Sequence, residues 1–323
     1  MGKKDGEQRK NGDTAMTANN VFGFSFYAIY DNQLQSRYKD IFGKVEATIF
    51  NREDLMGAAW DSVWTNTRHA VELFGGRNTS FHFPVNNSNI VTDPFVSSRL
   101  IETLKRSEEL GIPHVVIHAN QLYLLEECKH QNLKELRSRF LDCLQEVIYQ
   151  AGSNVVVCLE NLPPIGNLYD DADPVFLFTE DFQEIDIQNV GITWDICHYF
   201  NTVYTMHYAS NDPVFRDMLP SYQPCDYMDF TRIINKIKHW HFSAFDQMAN
   251  PFTETICKEG VLPVESCVEE SMYQKALRLI YEDAVKSNKA IIFEIAEKDY
   301  THRYYVLQML EWAQKVVKEH SFL

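Results

Sequence analysis

Several things are scarce in this 323-residue chain, and each scarcity narrows what it can be. Positive charge is outweighed, with 30 Lys and Arg against 45 Asp and Glu and a formal net charge of -15. A surface of that sign disfavours general nucleic-acid binding, which needs basic groups to release counterions; a local basic groove stays compatible with it. No run approaches the ~20 apolar residues of a membrane-spanning helix, so no membrane association is expected. The seven cysteines (Cys128, Cys143, Cys158, Cys197, Cys225, Cys257 and Cys267) are odd in number and include no C-x-x-C pair. Zinc-ribbon and disulfide-framework designs are therefore not expected, and the cysteines read as small core residues of a reduced, cytoplasmic protein. The start, MGKKDGEQRKNGDTAMTANN, lacks the apolar stretch of a signal peptide, and residues 1–20 are expected to be a disordered tail.

What is plentiful is apolar material: 45% of residues are hydrophobic and 13% aromatic. It is distributed with a rhythm. Short β-branched or aromatic runs, VFGFSFYA (21–28), VEATIF (45–50), TSFHFP (79–84), HVVIHA (114–119), NVVVCLEN (154–161), VGITWDI (190–196), IKHWHFSA (237–244) and AIIFEIA (290–296), alternate with helical patterns. NREDLMGAAWDSVWTNTRHAVELFGG opens on an Asn cap and stops at a Gly pair. SSRLIETLKRSEELG, LKELRSRFLDCLQEVIYQAG, SCVEESMYQKALRLIYEDAVKSN and YTHRYYVLQMLEWAQKVVKEH follow the same logic, and 31–42, 175–186 and 228–236 read as shorter helices. Strands so uniformly apolar are buried on both faces, as in a parallel sheet. Eight such units predict an α/β protein whose residues 21–323 form a single (β/α)8 barrel. A doubly wound sheet is the alternative, but no strand leads into a Gly-rich phosphate turn. Three strand-to-helix connections, 162–174, 197–227 and 245–265, are predicted to be long and to crown the C-terminal face, where barrels carry their chemistry.

The polar residues of the strands gather at one end. The third run ends with His82, the fourth with His118, the fifth with Glu160 and the sixth with Asp195; the seventh carries His239 and His241, and the eighth carries Glu294. Burying several carboxylates side by side is costly unless a cation neutralises them, so the alignment points to a divalent metal. Mixed carboxylate and imidazole donors suit Zn, Mn, Fe or Co alike.

The stretches ELGIPHVVIHA, VVVCLENLP, VGITWDICH, IKHWHFSAFD and IIFEIA resemble the xylose isomerase-like TIM-barrel superfamily of sugar-phosphate isomerases/epimerases and endonuclease IV-type enzymes. The pairing of E-N after one strand with D-x-x-H after the next carries most of the likeness. The resemblance implies Glu160, Asp195, His241 and Glu294 as ligands of one ion, with His82 and His118 added for a second ion in the endonuclease branch. His239 shares a strand face with His241 and is the alternative ligand, although His241 lies nearer the strand end. His198 matches a residue that meets substrate in epimerases and a third metal in endonucleases.

These correspondences imply a metal-dependent isomerase or epimerase, or a related lyase. It would act on a sugar, sugar phosphate or cyclitol, with Glu160 and Glu294 moving a proton next to a carbonyl and His198 holding a hydroxyl. Trp194, Tyr199, Phe200 and Trp240 are candidate pocket walls, although ordinary core packing is the better reading for each one. Two departures stand out. Glu254-Thr255-Ile256 replaces the Asp-x-His of the endonuclease pattern, and FSAFDQMANPF lacks the Arg that follows the seventh strand in many ketose epimerases. An endonuclease IV-like phosphodiesterase acting on abasic DNA is the alternative, and a decayed barrel used for binding a further one. A carbohydrate-like small molecule is the expected partner, with self-association left open.

Overall fold

Strands apolar on both faces need cover on both, and the computed structural model, which describes residues 18–166, 172–183 and 185–320, supplies it by closure. Its strands are β1 (Phe22–Tyr27), β2 (Lys44–Thr48), β3 (Thr79–His82), β4 (His114–Ile117), β5 (Val156–Glu160), β6 (Val190–Asp195), β7 (Ile237–Phe242), β8 (Ala244–Asp246), β9 (Lys258–Val261) and β10 (Ile291–Phe293). Eight of them form a closed barrel in the order β1-β10-β7-β6-β5-β4-β3-β2, parallel at every pairing, while β8 and β9 make an antiparallel pair outside it.

The helices are α1 (Gly57–Phe74), α2 (Pro94–Glu109), α3 (Leu125–Cys128), α4 (Leu133–Ala151), α5 (Thr179–Gln183), α6 (Ile196–Asn211), α7 (Pro213–Arg216), α8 (Glu270–Ser287) and α9 (Tyr304–His320). Local chemistry sets their ends. Asp93 caps α2 by accepting from the Phe95 and Val96 amides, with Pro94 in the first turn, where its missing N–H is no loss. Asn132 caps α4, and Gly152 closes it at φ 61°, a left-handed conformation that suits glycine. Among the described residues no helix is long and apolar enough to cross a membrane.

Strand alternation divides the core into two. One set of side chains fills the barrel, and the other packs outward under the helices. Phe81 stacks on Trp64 of α1 at 5.0 Å between ring centres. Trp194 packs outward among Phe182 and Tyr199. Trp240 meets Phe230 and donates its indole N–H to Asp283 of α8 at 3.0 Å.

Several local expectations need correction. Residues 197–227 are not an open connection, because α6 starts directly after β6, capped by Asp195, whose Oδ1 accepts from the His198 amide at 2.7 Å. Ten of the sixteen residues of α6 are buried, on more than one face, so the segment shows little amphipathic period. The 245–265 connection holds the β8–β9 hairpin, and 31–42 and 228–236 are 3-10 turns rather than α-helices. Helix α1 begins at Gly57, since Asn51 caps a separate 3-10 turn, Arg52–Leu55. Of the expected tail, residues 1–17 lie outside the described residues, and 18–20 belong to a 3-10 turn, Ala18–Val21. In the 162–174 connection, 167–171 lie outside them too.

The fully buried Trp194 tests the division of the core: Trp194→Ala is expected to lower unfolding free energy by about 3–5 kcal/mol, measured from urea denaturation midpoints.

Candidate metal centre

Strands β3 to β7 and β10 each deliver a polar side chain at or just past the C-terminal end of the barrel, and Glu160 is the hub. Its Oε2 accepts from His82 Nε2 at 3.0 Å and from His118 Nε2 at 3.2 Å. Its Oε1 lies 3.1 Å from His241 Nδ1 and 3.4 Å from His198 Nδ1. Glu294 Oε2 stands 3.2 Å from the same His241 Nδ1. One donor atom each from Glu160, Asp195, His241 and Glu294 can be chosen so that all lie within 4.8 Å of one another. A second such group is His82, His118 and Glu160, so Glu160 belongs to both. A register shift between Ile192 and Thr193 puts Asp195 directly across from His241.

The imidazoles are held in defined orientations. His82 donates Nδ1–H to the Phe83 carbonyl at 2.7 Å, which turns Nε2 toward the cluster. His198 Nδ1 sits 2.9 Å from the Asn161 carbonyl, and Asn161 also binds the Asp195 backbone in both directions. The E-N pair therefore does two jobs: its Glu enters the cluster, and its Asn ties β5 to β6.

Crowding shows in the proton affinities. Burial, reinforced by the charges of Glu160 and Glu294 and opposed by His198 and His241, pushes the Asp195 carboxyl up to about 7. Burial also works against ionised Glu160, but the charges and hydrogen bonds of His241 and His118 hold it well below the usual carboxylate range. Against its own burial, His241 is held well above the ordinary imidazole value by Glu294, Glu160 and Glu46. His118, where burial wins, is pushed down. Without a cation the carboxylates thus recruit protons onto their histidines. A donor set of carboxylates and imidazoles so short of positive charge fits a divalent ion.

The family described as xylose isomerase-like TIM barrel matches residues 67–271. The chain belongs to it. No curated protein sequence matches. Among solved structures, a D-tagatose 3-epimerase-like protein superposes with TM-score 0.56 at 18% identity, covering 93% of this chain and 99% of the other. Endonuclease IV from Thermus thermophilus gives 0.55 at 13%, covering 91% and 99%. An IolI protein with a bound zinc atom gives 0.55 at 14%, covering 93% and 98%. At these identities the likeness establishes the fold alone.

In this xylose isomerase-like barrel the cluster opens into a cavity of about 760 Å³. Glu160, Asp195, His82, His118, His198 and Glu294 all line it. Trp194 and Trp240 do not; as outward-facing residues they pack under the helices, which corrects the expectation that they wall the substrate pocket. Tyr199 and Phe200 are likewise fully buried core residues. The aromatic walls are Phe50 and Tyr300 instead, from segments just beyond the strand ends. His239 lies two residues deeper on β7, so it faces the barrel interior below the cluster and contacts Glu46 Oε2 at 2.8 Å.

Two acidic residues were missed. Glu46 sits inside β2, where its charge in a buried strand was the available signal. Glu259 is brought in by the β8–β9 hairpin, with Oε2 3.7 Å from His198 Nε2; nothing in its local sequence marks it.

Because Asp195 keeps its proton up to about pH 7 and His241 holds its own well above the usual range, protons compete with metal as pH falls. Zinc or manganese affinity is expected to be weaker at pH 6 than at pH 8 by at least about tenfold, with protons released on binding. Calorimetric titration in two buffers of different ionisation enthalpy measures both quantities.

Proposed function

We propose that the chain is a metal-dependent isomerase or epimerase, or a closely related lyase, acting on an uncharged sugar-like substrate such as a keto-sugar or cyclitol. The observation that carries this reading is the lining of the cavity. It contains Glu160, Asp173, Asp195, Glu259 and Glu294 but, among the described residues, no lysine or arginine. Such a surface repels phosphate and accepts hydroxyl groups, which supports a neutral polyol over a sugar phosphate.

Glu160, Asp195, His241 and Glu294 would hold the ion. When bound, a divalent cation supplies Lewis acidity toward a carbonyl and its neighbouring hydroxyl, acidifying the C–H between them. Proton movement falls to the two glutamates. Glu294 is the more open of them, its side chain about a quarter exposed, whereas Glu160 is enclosed by histidines. Glu294 is therefore assigned to remove the proton from the carbon next to the carbonyl, and Glu160 to return it from the other side. His198, whose Nδ1 is occupied by the Asn161 carbonyl, presents Nε2 to a substrate hydroxyl. Phe50 and Tyr300 cover the apolar face of the sugar ring.

One observation favours a second reading. His82, His118 and Glu160 form a further three-donor group, which supports a dinuclear centre and an endonuclease IV-like phosphodiesterase. Against it stand the acid-rich cavity and the absence of the Asp-x-His pattern.

The test is exchange of solvent deuterium into a panel of ketoses, keto-sugars and keto-cyclitols, followed by NMR. The manganese- or zinc-loaded protein is expected to exchange the proton next to the carbonyl of at least one of them. Glu294→Gln is expected to slow that exchange by about 10²–10⁴-fold. Incision of abasic-site duplex DNA that is lost in Glu160→Gln, with no exchange into any sugar, would establish the phosphodiesterase instead.

A further inference from the structure

One buried carboxylate of the barrel lies on a strand that contributes nothing to the four-donor group, although with His239 and His241 it makes a three-donor group of its own. Glu46 is completely buried at the middle of β2. β2 pairs with β1 and β3, and two strands separate it from β7 in the barrel order, yet the Glu46 side chain spans the interior to meet β7. Its Oε1 is 3.0 Å from His241 Nε2, and its Oε2 is 2.8 Å from His239 Nε2. Ser80, directly opposite on β3, donates its hydroxyl to Oε2 at 2.8 Å. None of Glu46 Oε1, His239 Nε2 or His241 Nε2 has a well-aligned hydrogen bond, so the two rings meet the carboxylate as close polar contacts.

His241 is thereby flanked on its two nitrogens by different groups. Nδ1 faces Glu160 and Glu294 at 3.1 and 3.2 Å, with Asp195 Oδ2 at 4.0 Å; Nε2 faces Glu46. His82 carries its Nδ1–H toward the neutral Phe83 carbonyl, which leaves Nε2 for the cluster. His241 has the opposite orientation, and the acceptor behind it is a buried carboxylate. A carboxylate behind a metal-bound imidazole keeps the proton on the far nitrogen and makes the near one a stronger donor.

Building on the metal-centre reading above, we propose that Glu46 is the positioning residue of the centre: it holds the proton on His241 Nε2 and fixes Nδ1 as the ligand atom. His239 and Ser80 hold Glu46 in turn. That gives His239, left open as an alternative ligand by its strand face, a role in the layer below the ion. It also explains a fully buried charge inside the barrel, which would be costly without a partner.

The experiment is cobalt(II) titration of the full-length protein, following the visible d–d bands, with wild type, Glu46→Gln, Glu46→Ala and Ser80→Ala compared. Thermal melts of the metal-free forms serve as the folding control. Wild type is expected to saturate with well-defined bands. Glu46→Gln and Glu46→Ala are expected to bind cobalt about 10–100-fold more weakly with shifted bands, and Ser80→Ala a few-fold more weakly. Ser80→Ala keeps the carboxylate in place, so it remains informative where the Glu46 variants fail to fold. Wild-type affinity and bands in all folded variants would overturn the assignment while leaving the metal centre standing. Loss of a separate equivalent of cobalt in the variants, at unchanged affinity for the remainder, would also overturn it, because Glu46 would then be a ligand. A wild-type protein that binds no cobalt would remove the metal-centre reading itself, and this one with it.

Discussion

Placing a buried carboxylate at the C-terminal end of the barrel is the constraint around which the rest is arranged. Glu160 is buried, and both its oxygens are taken by imidazoles from three other strands or their ends. Two of those rings meet a further acceptor at their second nitrogen, the Phe83 carbonyl behind His82 and Glu46 behind His241. Crowding among these carboxylates is met by protons: Asp195 keeps its own up to about pH 7, and His241 retains one well above the usual imidazole range. The cluster is a preorganised, electron-rich cradle whose charge a bound cation would resolve.

The scaffold makes that arrangement affordable. Outside the barrel, aromatic side chains such as Trp64, Phe81, Trp194 and Trp240 seal the sheet against the helices. Inside it, polar residues occupy the upper layers. The same strand alternates between the two tasks: Trp194 faces out and Asp195 in, Trp240 out and His241 in. The cavity above the cluster is built by segments with looser constraints, including the β8–β9 hairpin that brings Glu259 beside His198. The candidate metal donors thus sit on or just past strand ends, while much of the cavity lining comes from connections.

The legible part of the site follows from periodicity. His82, His118, Glu160, Asp195, His241 and Glu294 stand out because each interrupts or ends an apolar run, and a parallel barrel puts all such ends at one rim. Trp194 and Trp240 were misleading for the same physical reason in reverse: in a strand buried on both faces, hydrophobicity does not say which face points to substrate. Helix α6 was hidden because burial on more than one face blurs the amphipathic pattern, and its cap, Asp195, also belongs to the cluster. Glu46 was visible as a charge in a strand, but its partner on β7 was not.

By itself the sequence determined the number of strand–helix units, their parallel closure and the set of metal-capable residues at one end, because these depend on local pattern and its repetition along the chain. Only the tertiary structure decided which nitrogen of each histidine faces the cluster, that Phe50 and Tyr300 rather than tryptophans line the cavity, and that Glu46 reaches His241 and Glu259 reaches His198. Those facts depend on contacts across the barrel axis and between distant loops. Such contacts exist only once the sheet has closed, and no local periodicity encodes them.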